Sequence, residues 1–538
     1  MREGFFMSLD DSVRSLFSRT APQQRWAFLS CALAGYLTHL YPFTNLVPNS
    51  DGLSRMCDPQ QMTVSGRWFL HYASSFTAFT QMPAVIGFFS VLFLSLAAAL
   101  AVSLLRLNSR TLSALAGAVM AVFPAMGYTY LYLFTASAYA FAILLAVWAV
   151  WLAAKGGWPA WGGGVLLLAL SMGTYQAYAA VAVSLSLLTV LRAAVTASES
   201  LRSTTRLGLR LVGFLAAGAV LYYVILQIFL KVKQLELLDY LGMSQAGPAA
   251  LLGQLPRLVL TAYKQVISFF LIPGGSSPFT TNVFAALTFL LALCACGCLL
   301  SLWMTKEQRQ GWRVAGALAM LALLPLGAGF AQIIAPFSDA TPIMKYAYVS
   351  LYLAAILVID LGLPHMKAAT RPLCGGLTCA ALIAVCLYSA NIDNLLYTAS
   401  AQAHRSLLSY ATAMLTRIQS CPGYDGSQEI VIVGSFPADR FHSDIDSYSL
   451  IDHYSVPIHT EAPLNKHIYY YFNDWLNVPM AEPDEDTMKA VAASDTFRSM
   501  PLYPADGSVA LLDGRVVVKV QEEYTPRSDY EIAYENRR

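Results

Sequence analysis

Residues 161–195, WGGGVLLLALSMGTYQAYAAVAVSLSLLTVLRAAV, decide how this chain is laid out. They read either as one long tilted helix or as two short helices broken near Gly173. A helix needs roughly 20 apolar residues to cross a hydrocarbon core of about 30 Å. The two readings put everything downstream on opposite sides of that core. Nine other stretches qualify or nearly do: about 26–42, 82–105, 111–131, 135–154, 208–230, 281–303, 313–335, 346–363 and 373–392. If 161–174 and 176–195 are separate spans, the total is eleven. The segments on the side of the N-terminus then hold sixteen Lys and Arg, including Arg192, Arg202, Arg206 and Arg210. The opposite loops are longer yet hold seven: Arg55, Arg67, Lys231, Lys233, Arg257, Lys264 and Lys345. Lys and Arg concentrate in cytoplasmic loops, so this bias favours eleven spans, a cytoplasmic N-terminus and an external C-terminus.

Composition agrees. The 538 residues are 57% hydrophobic and 12% charged, with a mean hydropathy of +0.52. Soluble domains carry roughly 25% charged residues, so half that charge cannot dress a water-facing surface of this size. A soluble enzyme, a disordered chain and a collagen-like fibre are all excluded. Seven of the nine cysteines sit in apolar runs, and Cys294, Cys296 and Cys298 alternate in one of them. On a helix that spacing spreads them over different faces, which does not converge on a metal.

The ends differ from the middle. In residues 1–25, Phe5, Phe6, Leu9, Val13, Leu16 and Phe17 recur at helical spacing among charges, which predicts an in-plane interfacial helix on the cytoplasmic side. Residues 394–538 carry a net charge of −9, against +11 for residues 1–393. The acidic tail reads as a small external α/β domain. Glu429–Phe436 (EIVIVGSF) predicts a buried strand, and Val509–Leu512 and Arg515–Val520 flank Asp513-Gly514, a strong hairpin signal. His404–Ser420 and Asn465–Asn477 read as helical.

Polar groups at membrane depth are expensive, so polar and aromatic clusters at one membrane face are where chemistry is expected. The first outer loop, residues 42–81, is far longer than a helix–helix connection needs. It holds Asp51 and Asp58 with Arg55, Arg67, Trp68 and His71. Asp51 could act as general base on an acceptor hydroxyl, with Arg55 and Arg67 binding an anionic leaving group. The plainer reading is an Asp-Gly turn with interfacial arginines. Two further clusters lie at the same face: Tyr128, Tyr130, Tyr132, Ser137 and Tyr139, then Gly173–Tyr178 (GTYQAY). An aromatic belt is the plainer account of the first. In the second, the amide of Gln176 is ill-suited to face lipid. Lys231 and Lys345 stand in or beside other outer segments, where they could meet a phosphate or simply snorkel. In-plane helices are expected in 231–270. His442–Asp446 (HSDID) contains an Asp-x-Asp pair, which in so acidic a region reads as solvated surface.

Asn49–Arg55 (NSDGLSR), Gly66–Phe69 (GRWF) and Gly173–Tyr178 together resemble the bacterial glucosyltransferase II family, whose best-known members are serotype-converting O-antigen glucosyltransferases. The likeness covers about residues 25–400 in motif order and span layout. It implies a GT-C-like membrane glycosyltransferase domain over 26–393, in the bacterial inner membrane. Such an enzyme takes a sugar, most often glucose, from undecaprenyl phosphate and transfers it to a surface glycan on the outer face. The implied partners are that lipid-linked donor, the glycan acceptor, the bilayer, a donor-synthesising glycosyltransferase and a flippase, not a nucleic acid. No cofactor is implied. The resemblance maps the base onto Asp51; several members carry a second acid where Gly52 stands, which argues against a bound metal. Donor-phosphate contacts fall to Arg55, Arg67, Lys231 and Lys345. Tyr175, Gln176 and Tyr178 are candidates for sugar binding, with Asp58, Trp68, Tyr132 and Tyr139 as further sugar or acceptor contacts. The rival readings are a glycan polymerase or ligase and a transporter of lipid-linked sugars. The first calls for arginine-rich loops, and the second for polar residues strung through mid-span positions.

Overall fold

The computed structural model describes residues 20–49, 52–53, 61–75, 77, 82–237, 248–274, 280–334, 341–436 and 465–526. Asp51, Arg55, Asp58 and the Asp444/Asp446 pair lie outside the described residues, as does the expected interfacial helix as far as residue 19.

The chain is mostly helical. Helix α1 (Pro22–Thr44) opens on a proline, whose missing N–H costs nothing in a first turn. It packs against α2 (Pro83–Leu105) and α3 (Arg110–Val122). Phe123 is extended because Pro124 follows it, so α3 breaks there and resumes as α4 (Pro124–Leu131). Next come α5 (Leu133–Lys155) and α6 (Trp158–Thr174). Tyr175 is extended, and a short 3-10 turn, Gln176–Tyr178, leads into α7 (Ala179–Ala194). Residues 161–195 thus form two helices, parted at Tyr175, two residues past Gly173. The bundle continues with α8 (Leu201–Val232), α9 (Pro248–Leu271), α10 (Asn282–Trp303) and α11 (Gly311–Ala328). After the 3-10 stretch Pro342–Tyr348 come α12 (Val349–Gly362) and α13 (Arg371–Gln419).

Among the described residues, nine helical segments are long and apolar enough to cross a membrane, where the sequence suggests eleven. The other two stretches are helical but fall short. Helix α6 has 17 residues, and α1 carries Gln23, Gln24, Arg25 and His39. The central helices are buried on most sides, whereas α8, α10 and α11 turn rows of apolar residues outward. Leu209, Val212, Val220, Val224 and Ile228 of α8 are examples, and such a face is what lipid covers. On α10, Cys294 and Cys298 point inward and Cys296 outward, as alternate helical residues do.

The composition break near residue 394 does not coincide with a loop. Helix α13 runs for 49 residues straight through it and carries the chain into the C-terminal region. There β1 (Ile430–Val433), β2 (Val509–Leu512) and β3 (Arg515–Lys519) form a sheet ordered β1-β3-β2. β1 pairs parallel with β3, and β2 pairs antiparallel with it across Asp513-Gly514. Both turn residues have positive φ, 49° and 77°, the geometry that matches the twist of a hairpin. Asn465–Tyr470 is α-helical and Tyr471–Trp475 continues it as a π turn. The Tyr469 hydroxyl receives the N–H of Ile432 at 2.9 Å, tying this helix to β1, and burial pushes its ionisation well up.

Candidate active site

The two motifs that stand more than a hundred residues apart in the sequence pack directly against each other. Gly66 has φ of +81° and closes a 3-10 turn, Thr63–Ser65, which swings the chain back toward the bundle. A Cβ there would run into Gln176 Nε2 and lie 2.7 Å from the Tyr222 hydroxyl, so only glycine fits. Phe69 N–H donates to Gly173 O at 2.8 Å. Gln176 Nε2 donates to Ser65 O at 2.8 Å and to the Tyr222 hydroxyl at 3.2 Å, and that hydroxyl donates to Gly66 O at 3.1 Å. A Cβ on Gly173 would lie 2.5 Å from the Trp68 ring. The end of the loop 42–81 is therefore locked onto the α6–α7 turn and onto α8.

Arg67 emerges from this lock toward a wall of tyrosines. Its Nη1 donates to the Tyr139 hydroxyl at 3.3 Å, and its guanidinium lies 4.9 Å above the Tyr175 ring. Tyr139 and Tyr175 stack at 4.6 Å, and Tyr178 meets both edge-on. Tyr178 in turn meets Tyr346, next to Lys345, so the Pro342–Tyr348 segment closes the cluster from the far side. Lys345 is 5% exposed, which is far too buried for a lysine that only snorkels. Thr77 and Ser137 share a hydrogen bond of 2.7 Å that pins the loop's end to α5.

The structure thus brings Arg67, Tyr139, Tyr175 and Tyr178 together, with the Lys345 segment against them. Gln176 stands beside them, its Nε2 engaged by Ser65 and Tyr222. Trp68 is 4% exposed, stacked on Phe229 and packed on Gly173, so it seals helices rather than presenting a face. Tyr132 is partly exposed at the end of α4, with its ring 6.2 Å from Phe134. Lys231 is exposed at the end of α8, where its side chain makes no hydrogen bond or ion pair among the described residues. Of the Asn49–Arg55 motif, Asn49, Gly52 and Leu53 are described. Gly52 N–H donates to Asn49 O and Oδ1, and Leu53 N–H to Asn49 O. Asp51 precedes Gly52 in the sequence and lies outside the described residues.

Sequence reasoning missed Tyr222, His39 and Asp393. His39 and Asp393 are fully buried, and the Tyr130 ring lies tilted against His39 with centroids 4.6 Å apart. A histidine in an apolar run and an aspartate one residue beyond another were the available signals. Among the described residues no group of three or more His, Cys, Asp or Glu is placed to hold a metal ion.

A family model described as Glucosyl transferase GtrII matches residues 40–359, more than half of the chain, including Arg67, Tyr139, Gly173–Tyr178 and Lys345. The protein belongs to that family and is a membrane glucosyltransferase. No curated protein and no solved structure matches the chain.

Proposed function

We propose that the protein transfers glucose from a polyprenyl phosphate, such as undecaprenyl phosphate, to a cell-surface glycan such as O-antigen, with Asp51 as general base. The observation that carries this reading is the Arg67 guanidinium, held on Tyr139 and Tyr175 by the docking of Gly66–Phe69 on Gly173–Gln176. A planar cation fixed at the mouth of an apolar bundle suits a phosphate whose lipid tail lies among the helices. Lys345, buried on the neighbouring segment, supplies a second positive charge. As the glucose–phosphate bond breaks, charge builds on the departing phosphate oxygens, so these contacts strengthen in the transition state. Asp51 takes the acceptor hydroxyl's proton while its oxygen attacks C1 from the face opposite the phosphate, giving inversion. The stacked Tyr139 and Tyr175 offer a sugar a polar rim of hydroxyls. Gly52 beside Asp51 leaves no paired acid, so the reaction is read as independent of a divalent cation. Transfer takes place at the outer face of the inner membrane, with the N-terminus cytoplasmic and the C-terminal domain outside. The donor-synthesising enzyme and the flippase serve it from the other side.

The test is transfer from radiolabelled undecaprenyl-phosphate glucose to O-antigen lipopolysaccharide in proteoliposomes, for wild type and Asp51→Asn, with and without chelator. Transfer that needs Asp51 and ignores chelator is expected. An Asp51→Asn protein that folds and transfers at the wild-type rate overturns the assignment of the base.

A further inference from the structure

The last turn of α1 is broken by its own sequence. Pro42 has no N–H, so the carbonyl of Thr38, four residues back, loses its helical donor. His39 leaves helical geometry altogether, at φ −107° and ψ 15°. Beyond this kink the chain runs through Asn45–Asn49 into the turn closed by Asn49, Gly52 and Leu53. Asn49 and Leu53 are each 1% exposed, so the turn is tied down and points wherever α1 aims it.

Helix α13 meets the kink with two consecutive polar residues. Asn394 Nδ2 donates to Thr38 O at 3.1 Å, replacing the bond that Pro42 removes. Asp393 is fully buried, and its Oδ2 lies 4.0 Å from His39 Nδ1. The imidazole is held at both ends. Nε2–H donates to Ala121 O at 3.0 Å, which leaves Nδ1 to accept from the Tyr397 hydroxyl at 2.7 Å, one turn along α13 from Asp393. Neither carboxyl oxygen of Asp393 has a hydrogen-bond partner among the described residues. Helix α4 yields room for it, since a Cβ on Gly127 would collide with Oδ1. An unpartnered acid in a bundle core is a standing cost to stability, and such residues tend to be retained for function.

We propose that Asp393 and Asn394, acting with His39 and Tyr397, are positioning residues. They clamp the kink of α1 and so fix the aim of the Asn49–Leu53 turn that carries the base. The catalytic half of this inference rests on Asp51 having the role given above. The clamp itself does not. Because α13 continues unbroken into the C-terminal domain, the same contacts tie that domain to the first outer loop.

Two measurements on the full chain in nanodiscs or proteoliposomes test it. The first is hydrogen exchange at the Gly52 and Leu53 amides. Asn394→Ala is expected to speed it at least tenfold while α5 and α12 stay protected. In a Pro42→Ala background, where the restored backbone N–H can serve Thr38 O, Asn394→Ala is expected to add nothing. Unchanged exchange at Gly52 and Leu53, or an equal increase in both backgrounds, overturns the clamp. The second is steady-state transfer from undecaprenyl-phosphate glucose to O-antigen lipopolysaccharide. Asp393→Asn is expected to lower kcat by between about tenfold and a hundredfold with the donor KM unchanged. It is also expected to cost nothing further in an Asp51→Asn background. Loss in KM alone, or full additivity with Asp51→Asn, overturns the positioning role. If Asp51→Asn alone keeps wild-type transfer, the base assignment fails, and the exchange result still decides the clamp.

Discussion

Asp360 and Asp393 are both aspartates buried in the helical bundle, and their surroundings are opposite. Asp360, in α12, accepts the backbone N–H of Asn108 at 2.7 Å and of Ser109 at 2.8 Å, and the Asn108 amide at 3.1 Å. It sits at the N-terminus of α3, where the helix dipole also favours a negative charge. Arg313 is handled the same way with the sign reversed. Its guanidinium donates to the carbonyls of Ala194, Thr196, Ala197 and Glu199, where α7 ends. Asp393 has a histidine at 4.0 Å and no hydrogen bond to either oxygen among the described residues. The first two residues staple helix ends and explain themselves. The third stands without such bonds, beside the kink that leads to the loop 42–81, and this sets it apart from the two staples.

The sharpest way to break this contrast is to remove the stapling charge. Arg313→Met keeps much of the apolar stem and takes the guanidinium donor from four carbonyls, of which Thr196 O keeps the Glu199 N–H. Hydrogen bonds to charged groups contribute about 1.5–3 kcal/mol each, and buried acceptors left empty cost more than their share. We expect a loss of about 3 kcal/mol or more, read as a large drop in the unfolding midpoint in detergent. A shift too small to measure would mean that water already serves those carbonyls, and the two ends would no longer differ.

Gly127→Ala sharpens the other side of the comparison. The new methyl would run into the Asp393 carboxyl, and overpacking of this kind costs about 1–3 kcal/mol. The cost should largely vanish when Asp393→Ala is made in the same chain, since the two nearest atoms to the new methyl are the carboxyl Oδ1 and Cγ that this change removes. An equal penalty in both backgrounds, by the same thermal measurement, would place the strain elsewhere on α4.

How much of this was open to a reader of the sequence follows from range. Apolar runs announce helices locally, so the hairpin at Asp513-Gly514 was legible from spacing, and the break inside 161–195 became legible once the loop charges were counted. The pairing of Gly66–Phe69 with Gly173–Gln176 was not. Each motif reads as an aromatic turn, and only the glycine contacts with Gln176 and Trp68 reveal that they interlock. Trp68 and Gln176 read as groups for a ligand, and what the spacing did not show is that Trp68 packs on Gly173 and Phe229 while Gln176 bonds Ser65 O and the Tyr222 hydroxyl. Asp393 escaped because it falls one residue past an apolar run, where an acid is ordinarily at the water interface. A 49-residue helix carries it on without a turn, and nothing in residues 394–419 signals that continuity more strongly than the shift in charge signals a boundary.

The smallest expected effect is the most telling. Asp393→Asn keeps the shape and exchanges the acid for an amide. Were Asp393 engaged as Asp360 is, the substitution would lose acceptor capacity for N–H groups and the protein would melt earlier. With no donor on either oxygen among the described residues, there is no such bond to lose. The neutral amide instead removes a buried acid whose pairing at 4.0 Å returns little. We therefore expect stability within about 0.5 kcal/mol of wild type, or slightly above it, while turnover falls. That split, equal melting with slower transfer, is the pattern of a group that stabilises the working arrangement of the outer loop rather than the fold. An early melt matching that of Arg313→Met would instead make Asp393 a second staple.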